Sequence, residues 1–149
     1  MLSREGADWP RFCCAIVRGA DGRYLLEQRP AQSQRAAGLM TCFGGTREEG
    51  EEPTACLRRE LREELGLSEE VVEMLGFQRA VTLHRRGELV AWFYSASVAL
   101  PSEVRLVTEP GHEAVWLSEE QVRAEQRLSS WHRAALSAYF MGEAEARLE

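Results

Sequence analysis

The sequence contains no lysine, because all 18 of its basic residues are arginine. This absence excludes mechanisms that depend on a lysine side chain, such as the phosphate clamp of a P-loop and Schiff-base chemistry. Acidic residues number 24, and the formal net charge is -6. Proteins that bind duplex nucleic acid normally present a net basic face, so we expect no duplex partner.

Thiol-based sites and membrane spans are also poorly supported. The four cysteines form no CxxC pair and the three histidines are far apart, which predicts reduced, buried thiols and neither a zinc site nor a disulfide framework. No apolar run approaches the roughly 18 residues that a membrane helix needs. The amino terminus, MLSREGADWP, lacks the apolar core of a signal peptide. We therefore expect a cytoplasmic protein with no membrane partner.

The length and the pattern of apolar residues predict one α+β domain, residues 1–149, with a mixed β-sheet. The predicted strands are 12–17, 24–29, 39–43, 77–83, 89–100 and 114–117. The first two flank the turn-forming residues GADGR, which predicts a hairpin. A helix is predicted over about 53–65, between Pro53 and Gly66, and a second over about 129–141.

Residues 44–67, GGTREEGEEPTACLRRELREELGL, hold seven glutamates in 24 residues. At about 100° per residue, Glu60, Glu63 and Glu64 share one helix face. It lies beside the apolar stripe formed by Leu57, Leu61 and Leu65. Glutamates are also common on solvated helix faces. Clustered carboxylates repel one another unless a cation neutralises them, and hard oxygen ligands select Mg²⁺, with Mn²⁺ as the other candidate.

The spacing of these residues favours the metal site. The segment matches in full the pattern G-x5-E-x7-R-E-U-x-E-E-x-G-U, where U is aliphatic, over the 23 residues 45–67. It thereby resembles the Nudix hydrolases, MutT-like pyrophosphohydrolases that carry this signature. The resemblance implies an α/β/α sandwich with a mixed sheet and a catalytic loop-helix-loop. It also implies Mg²⁺-dependent hydrolysis of a nucleoside diphosphate derivative or a nucleoside triphosphate.

Site residues follow from the same resemblance. Glu60, Glu63 and Glu64 match the metal-binding positions of the family, with the Gly44 carbonyl as a further ligand. Glu51 and Arg59 are expected to hold the loop and helix together through an ion pair.

The general base is left open by the sequence. Glu60 could take the proton of the attacking water, and so could a second carboxylate, for which the segment EPGHEAVW offers Glu109 and Glu113. We favour Glu109 slightly. Many family members have proline where this chain has Phe43, which could shift the Gly44 carbonyl or provide a stacking surface.

The sequence also leaves the substrate and the oligomeric state open. A homodimer is one candidate. Arg29 and Arg35 could reach phosphates or could simply be solvated. Residues 92–94, WFY, are expected to alternate across a sheet more readily than to stack on a base. Two alternatives have other chemistry: an isomerase of the isopentenyl diphosphate type that uses Cys42, and a sensing module that binds nucleotides without cleaving them. Both usually have degenerate signatures, and here the signature is intact.

Overall fold

A computed structural model describes residues 8–149 of the chain. Residues 1–7, on which part of the signal-peptide argument rests, lie outside the described residues. The strands of the described part are β1 Phe12–Ile16, β2 Tyr24–Gln28, β3 Met40–Thr41, β4 Phe43–Thr46, β5 Phe77–Arg85, β6 Glu88–Ala96, β7 Glu113–Leu117 and β8 Glu145–Leu148. Its helices are α1 Pro53–Leu65, α2 Glu69–Leu75, α3 Glu119–Ala124 and α4 Ser130–Phe140.

The strands form two sheets. A five-stranded sheet has the order β4-β1-β6-β5-β8, and a three-stranded sheet has the order β3-β2-β7. In the larger sheet β1 is parallel to β6 and β5 is parallel to β8, whereas the β4–β1 and β6–β5 pairs are antiparallel. The prediction of a mixed sheet is confirmed.

Helices cover both faces of the larger sheet, because its strands are apolar on both sides. Cys13 and Ala15 of β1 belong to the core beneath α1 and α2. Cys14 and Ile16, which point the opposite way, belong to the core beneath α4. The same alternation places Phe93 under α4, as expected from sheet packing. This layering is the α/β/α sandwich that the resemblance implied.

The predicted hairpin between the first two strands forms only at its turn. The Leu25 N–H donates to the Val17 carbonyl at 2.9 Å and Arg18 pairs with Tyr24, but beyond them the strands enter different sheets. Strand β1 has β4 on one edge and β6 on the other, so no edge is left for β2. The two strands therefore separate away from this turn.

Helix α1 begins and ends where the sequence predicts. Pro53 lies in its first turn, and Gly66 adopts the left-handed conformation, φ 67°, while its N–H donates to the Arg62 carbonyl. Leu57, Leu61 and Leu65 are buried against the sheet. This packing orients the adjacent helix face toward β4.

Helices α2 and α3 and strand β8 were not predicted. With 4 to 7 residues each, they are too short for a clear periodicity. The caps of the helices were the available signal, since the hydroxyls of Ser68 and Ser118 each accept a backbone N–H three residues later. Within residues 8–149, no helix is long and apolar enough to cross a membrane.

Candidate active site

Two glycines of β4 allow the strand to lie against both β1 and α1. A Cβ added at Gly44, whose φ is 146°, would lie 2.2 Å from the Cys13 carbonyl oxygen. A Cβ added at Gly45 would lie 2.1 Å from Oε2 of Glu60. Neither position has room for a side chain. Because Gly45 has no Cβ, the Glu60 carboxylate can occupy the space beside it.

The three helix carboxylates differ in exposure. Glu64 is 8% exposed, and its Oε1 accepts the Gly44 N–H at 2.9 Å. The Glu60 side chain is 14% exposed, whereas that of Glu63 is 47% exposed. The structure thus brings Glu60 and Glu64 to the backbone of β4, and Glu63 lies at the outer edge of the group.

Burial and mutual repulsion change the protonation of the inner pair. Burial, together with the charges of the neighbouring carboxylates Glu27 and Glu60, raises the pKa of Glu64 to about 9. The pKa of Glu60 is also raised, mainly by burial, although the Arg59 guanidinium opposes the shift. Without a cation, these carboxylates resist ionisation.

Arg59 joins the loop before α1 to the helix. Its Nε donates to one oxygen of Glu51 at 2.8 Å and its Nη2 donates to the other at 3.0 Å. The Nη1 group reaches Glu63 at 3.2 Å, and Nη2 also donates to the Thr46 carbonyl at 3.1 Å. The hydrogen bonds from Arg59 lower the pKa of Glu51 to about 2. The structure therefore contains the predicted ion pair between Arg59 and Glu51.

A second acidic group faces the first, and the sequence did not reveal its members Glu27 and His112. Glu27 is 1% exposed on β2; its Oε2 lies 2.6 Å from His112 Nδ1 and its Oε1 accepts from Arg29 at 2.9 Å. Ligand atoms of Glu27, Glu109 and His112 lie within 4.8 Å of one another. The group can therefore contribute oxygen and nitrogen ligands, or proton acceptors, beside Glu64.

The two candidates for a second carboxylate are placed differently. Glu109 belongs to the group with Glu27 and contributes to the raised pKa of both Glu60 and Glu64. Glu113 is exposed at the first position of β7, paired with Gln28 in the sheet register, and is not part of this group. The general base stays a prediction, and of these two candidates Glu109 is the one that lies near Glu27 and His112.

Phe43 does not offer a surface to a ligand. It is 1% exposed and packs in the core with Leu57 and Leu61 of α1. Of the two possibilities left open for Phe43, a stacking surface is wrong, since β4 turns the side chain toward the layer of α1.

A cavity of about 280 Å³ adjoins the glycines of β4 on the α4 side of the sheet. Its walls include Phe12, Phe93, Thr41 and Trp131. Arg35 also lines it, stacks over the Phe12 ring at 5.2 Å and donates to the Thr46 hydroxyl at 2.8 Å. Its charge opposes the rise in the pKa of Glu60, so Arg35 both lines the cavity and interacts with that carboxylate.

The donor set fits a hard divalent cation. Glu60 and Glu64 are clustered carboxylates whose ionisation is unfavourable without positive charge, and Glu63 lies at the open side. Oxygen donors of this kind suit Mg²⁺ or Mn²⁺. These residues therefore fit a divalent cation beside the cavity.

Comparison with known proteins identifies the family. A family model described as the NUDIX domain matches residues 9–139, and the chain belongs to this family. The match covers the carboxylates of α1, the Glu27 group and most of α4.

Individual relatives agree with this assignment. The chain is 42% identical to CTP pyrophosphohydrolase of Escherichia coli over 78 residues, which cover 52% of this chain and 57% of that protein. It is 30% identical to the E. coli ORF135 protein in its solution structure, with 87% and 86% of the two chains covered and a TM-score of 0.59. The MutT protein from Methanosarcina mazei has the same fold, with a TM-score of 0.69, 20% identity, and 90% and 96% of the chains covered.

Proposed function

We propose that this protein is a metal-dependent pyrophosphohydrolase that cleaves a phosphoanhydride bond of a nucleotide by attack of water. The observation that carries the proposal is the placement of Glu60 and Glu64 against the backbone of β4, beside a cavity. A diphosphate bridge is strongly anionic, so its cleavage requires both neutralisation of charge and activation of water.

Mg²⁺ is the proposed cofactor, with Mn²⁺ as a substitute. Glu60, Glu63 and Glu64 would hold the cation, together with the Gly44 carbonyl. When bound, it would neutralise phosphate charge and lower the pKa of a water molecule. Its positive charge would also allow Glu60 and Glu64 to ionise near neutral pH, against the shifts described above.

The chain supplies the remaining groups. We assign the general base to Glu109, because it lies in the acidic group that faces Glu60 and Glu64, with Glu60 and Glu113 as the alternatives. We assign a phosphate contact to Arg35, which lines the cavity and interacts electrostatically with Glu60. Arg29 is already committed to Glu27 and Ser33, so it positions Glu27 rather than the substrate.

The proposed substrates are nucleoside triphosphates and nucleoside diphosphate derivatives. The chain spans 57% of the length of the similar CTP pyrophosphohydrolase, whose name describes cleavage of a nucleoside triphosphate. CTP is therefore the first substrate to test, followed by the other nucleotides. The four cysteines are free and buried, as expected for a reducing compartment, and we propose that the protein acts in the cytoplasm. A homodimer is the oligomeric state to test first by light scattering.

The two alternative functions are less well supported. An isomerase would use Cys42, but this thiol is buried and burial raises its pKa to about 12, so it is protonated at neutral pH. A sensing module would not need the complete signature with paired Arg59 and Glu51. Neither function is favoured by the comparisons.

A substrate screen tests the proposal. Nucleoside triphosphates and nucleoside diphosphate derivatives are incubated with the protein and Mg²⁺, and release of pyrophosphate, phosphate or a nucleoside monophosphate is measured. We expect turnover of at least one nucleotide, and Cys42→Ser should retain it to within a few-fold. Loss of turnover in Cys42→Ser, or thermal stabilisation by a nucleotide without any product, would favour an alternative.

A further inference from the structure

Glu27 uses each of its two carboxylate oxygens to hold a different loop. Its Oε1 accepts from Nη1 of Arg29 at 2.9 Å, and Arg29 begins the loop between β2 and β3. Its Oε2 lies 2.6 Å from Nδ1 of His112, which ends the loop between β6 and β7. A carboxylate paired with a guanidinium is an acceptor only, so the Nδ1–H of His112 donates to it. This side chain, 1% exposed, therefore joins two loops that are distant in the chain.

The first loop carries Arg35, to which we assign a phosphate contact. Nε of Arg29 donates to the Arg35 carbonyl at 2.9 Å. Nη2 of Arg29 donates to the Ser33 hydroxyl at 3.1 Å, and that hydroxyl donates to the same carbonyl at 2.7 Å. The backbone of Arg35 is thus held by the residue that Glu27 holds.

The second loop carries Glu109, to which we assign the general base. The backbone N–H of His112 donates to the Glu109 carbonyl at 3.0 Å, and the Thr108 hydroxyl donates to the His112 carbonyl at 2.9 Å. The Glu109 side chain is exposed, so its position depends on how the loop holds its backbone. On this side too, a partner of Glu27 fixes the main chain of a site residue.

On the basis of the proposed function, we propose that Glu27 is a positioning residue that couples the loop of Arg35 to the loop of Glu109. Arg29 and His112 are its two links. The phosphate contact and the general base are thereby fixed relative to each other. A displacement of about 1 Å can cost on the order of a hundredfold in rate, so this coupling contributes to turnover although Glu27 does not touch the substrate.

The two links should affect different kinetic constants. His112→Leu releases the loop of Glu109 and should lower kcat about tenfold with little change in KM. Arg29→Lys cannot make all three contacts at once, so it should loosen the loop of Arg35 and raise KM about fivefold with a smaller change in kcat. Arg105→Gln, exposed in the same loop as His112, is the matched control and should stay within about twofold of the wild type.

Two comparisons distinguish positioning from a merely structural role. His112→Asn keeps an N–H that can reach Glu27 and should recover most of the activity lost in His112→Leu. In a Glu109→Gln background, His112→Leu should lower kcat by less than about twofold, because the group that it positions is already lost. The affinity for Mn²⁺ should change less than about threefold in His112→Leu, since the ring holds the loop and not the cation.

Hydrogen–deuterium exchange needs no substrate and therefore separates this inference from the proposed function. His112→Leu should speed exchange in residues 106–112 alone, and Arg29→Lys in residues 30–38 alone. Glu27→Leu, which removes both acceptors, should speed exchange in both loops. If the wild type hydrolyses no nucleotide, the proposed function fails, and this exchange pattern still decides whether Glu27 couples the loops.

Several results would overturn the inference. They are an unchanged kcat in His112→Leu, an equal loss of kcat by His112→Leu with and without Glu109→Gln, or His112→Asn as impaired as His112→Leu. A loss of Mn²⁺ affinity above about tenfold in His112→Leu would instead assign the ring to the cation. Faster exchange throughout the chain in Glu27→Leu would reduce its role to general stability.

Discussion

The backbone N–H of Gly44 donates a hydrogen bond to the carboxylate of Glu64 over 2.9 Å. This contact joins β4 to the last turn of α1 and holds a buried acidic side chain beside the proposed metal ligands. Glutamine at position 64 can still accept the bond but cannot carry a negative charge. The substitution therefore separates the structural role of Glu64 from its electrostatic one.

Glu64→Gln is expected to stabilise the metal-free protein near neutral pH. The pKa of Glu64 is about 9 in the folded state, compared with 4.5 as its ordinary value. Its contribution to stability is therefore fully present below pH 4.5 and is lost as the pH rises toward 9. The variant should gain at most about 3 kcal/mol at pH 7 over the wild type.

Thermal unfolding in EDTA between pH 4 and 9 measures this effect. The gain of Glu64→Gln should vanish below about pH 4.5. Exposed Glu103→Gln, the matched control, should change little at any pH. Equal stability of Glu64→Gln and wild type at pH 8 would contradict the raised pKa.

Glu51→Gln should destabilise the fold by about 1–3 kcal/mol at pH 7, because it breaks a partly buried, bidentate pair with Arg59. The pKa of Glu51 is lowered to about 2, so the stability that the pair contributes is present above pH 4.5 and is lost as the pH falls toward 2. Urea unfolding at pH 7 and pH 3 measures both values. Arg59→Lys should also be less stable, since lysine cannot bridge both oxygens. A variant as stable as the wild type at pH 7 would refute this role.

Gly45→Ala should reduce activity more than stability. The new Cβ would lie 2.1 Å from the Glu60 carboxylate, which can move because it is the end of a flexible side chain. Gly44→Ala is the contrasting variant, because its Cβ would meet the β1 backbone, which cannot move easily. We expect a loss of at least tenfold in kcat for Gly45→Ala with a small change in melting temperature, and a much larger drop in melting temperature for Gly44→Ala. Full activity of Gly45→Ala would show that the position of Glu60 is not critical.

Glu109→Gln should lower kcat far more than Glu113→Gln, because Glu109 lies beside Glu27 and His112 whereas Glu113 is not part of this group. A general base typically contributes between 10²- and 10⁴-fold. Glu113→Gln serves as the control and should remain within about threefold, a loss of under 1 kcal/mol in the barrier. If the two effects are reversed, our assignment of the base is wrong.

The helix and its carboxylates could be predicted from sequence because their determinants are local. Pro53, the leucine spacing and Gly66 define α1, and the glutamates lie on the helix itself. The pairing of Arg59 with Glu51 also spans only eight residues.

Glu27 and His112 could not be predicted in the same way. They are 85 residues apart, and they meet because β2 pairs with β7 in a register that places Glu27 opposite Ala114. Such a register depends on tertiary packing, which local patterns do not encode. The hairpin prediction was incomplete for a related reason, since β4 and β6 occupy both edges of β1.

The most direct test of the account is hydrolysis of a nucleotide in ¹⁸O-labelled water by the wild type and by Glu64→Gln. With Mg²⁺, the wild type should place ¹⁸O in one phosphate-containing product, and excess EDTA should abolish the reaction. Glu64→Gln should lose at least a hundredfold in kcat while it remains folded. Product formation that persists in EDTA, or Glu64→Gln activity within about threefold of wild type, would contradict the assignment of a cation-dependent carboxylate site.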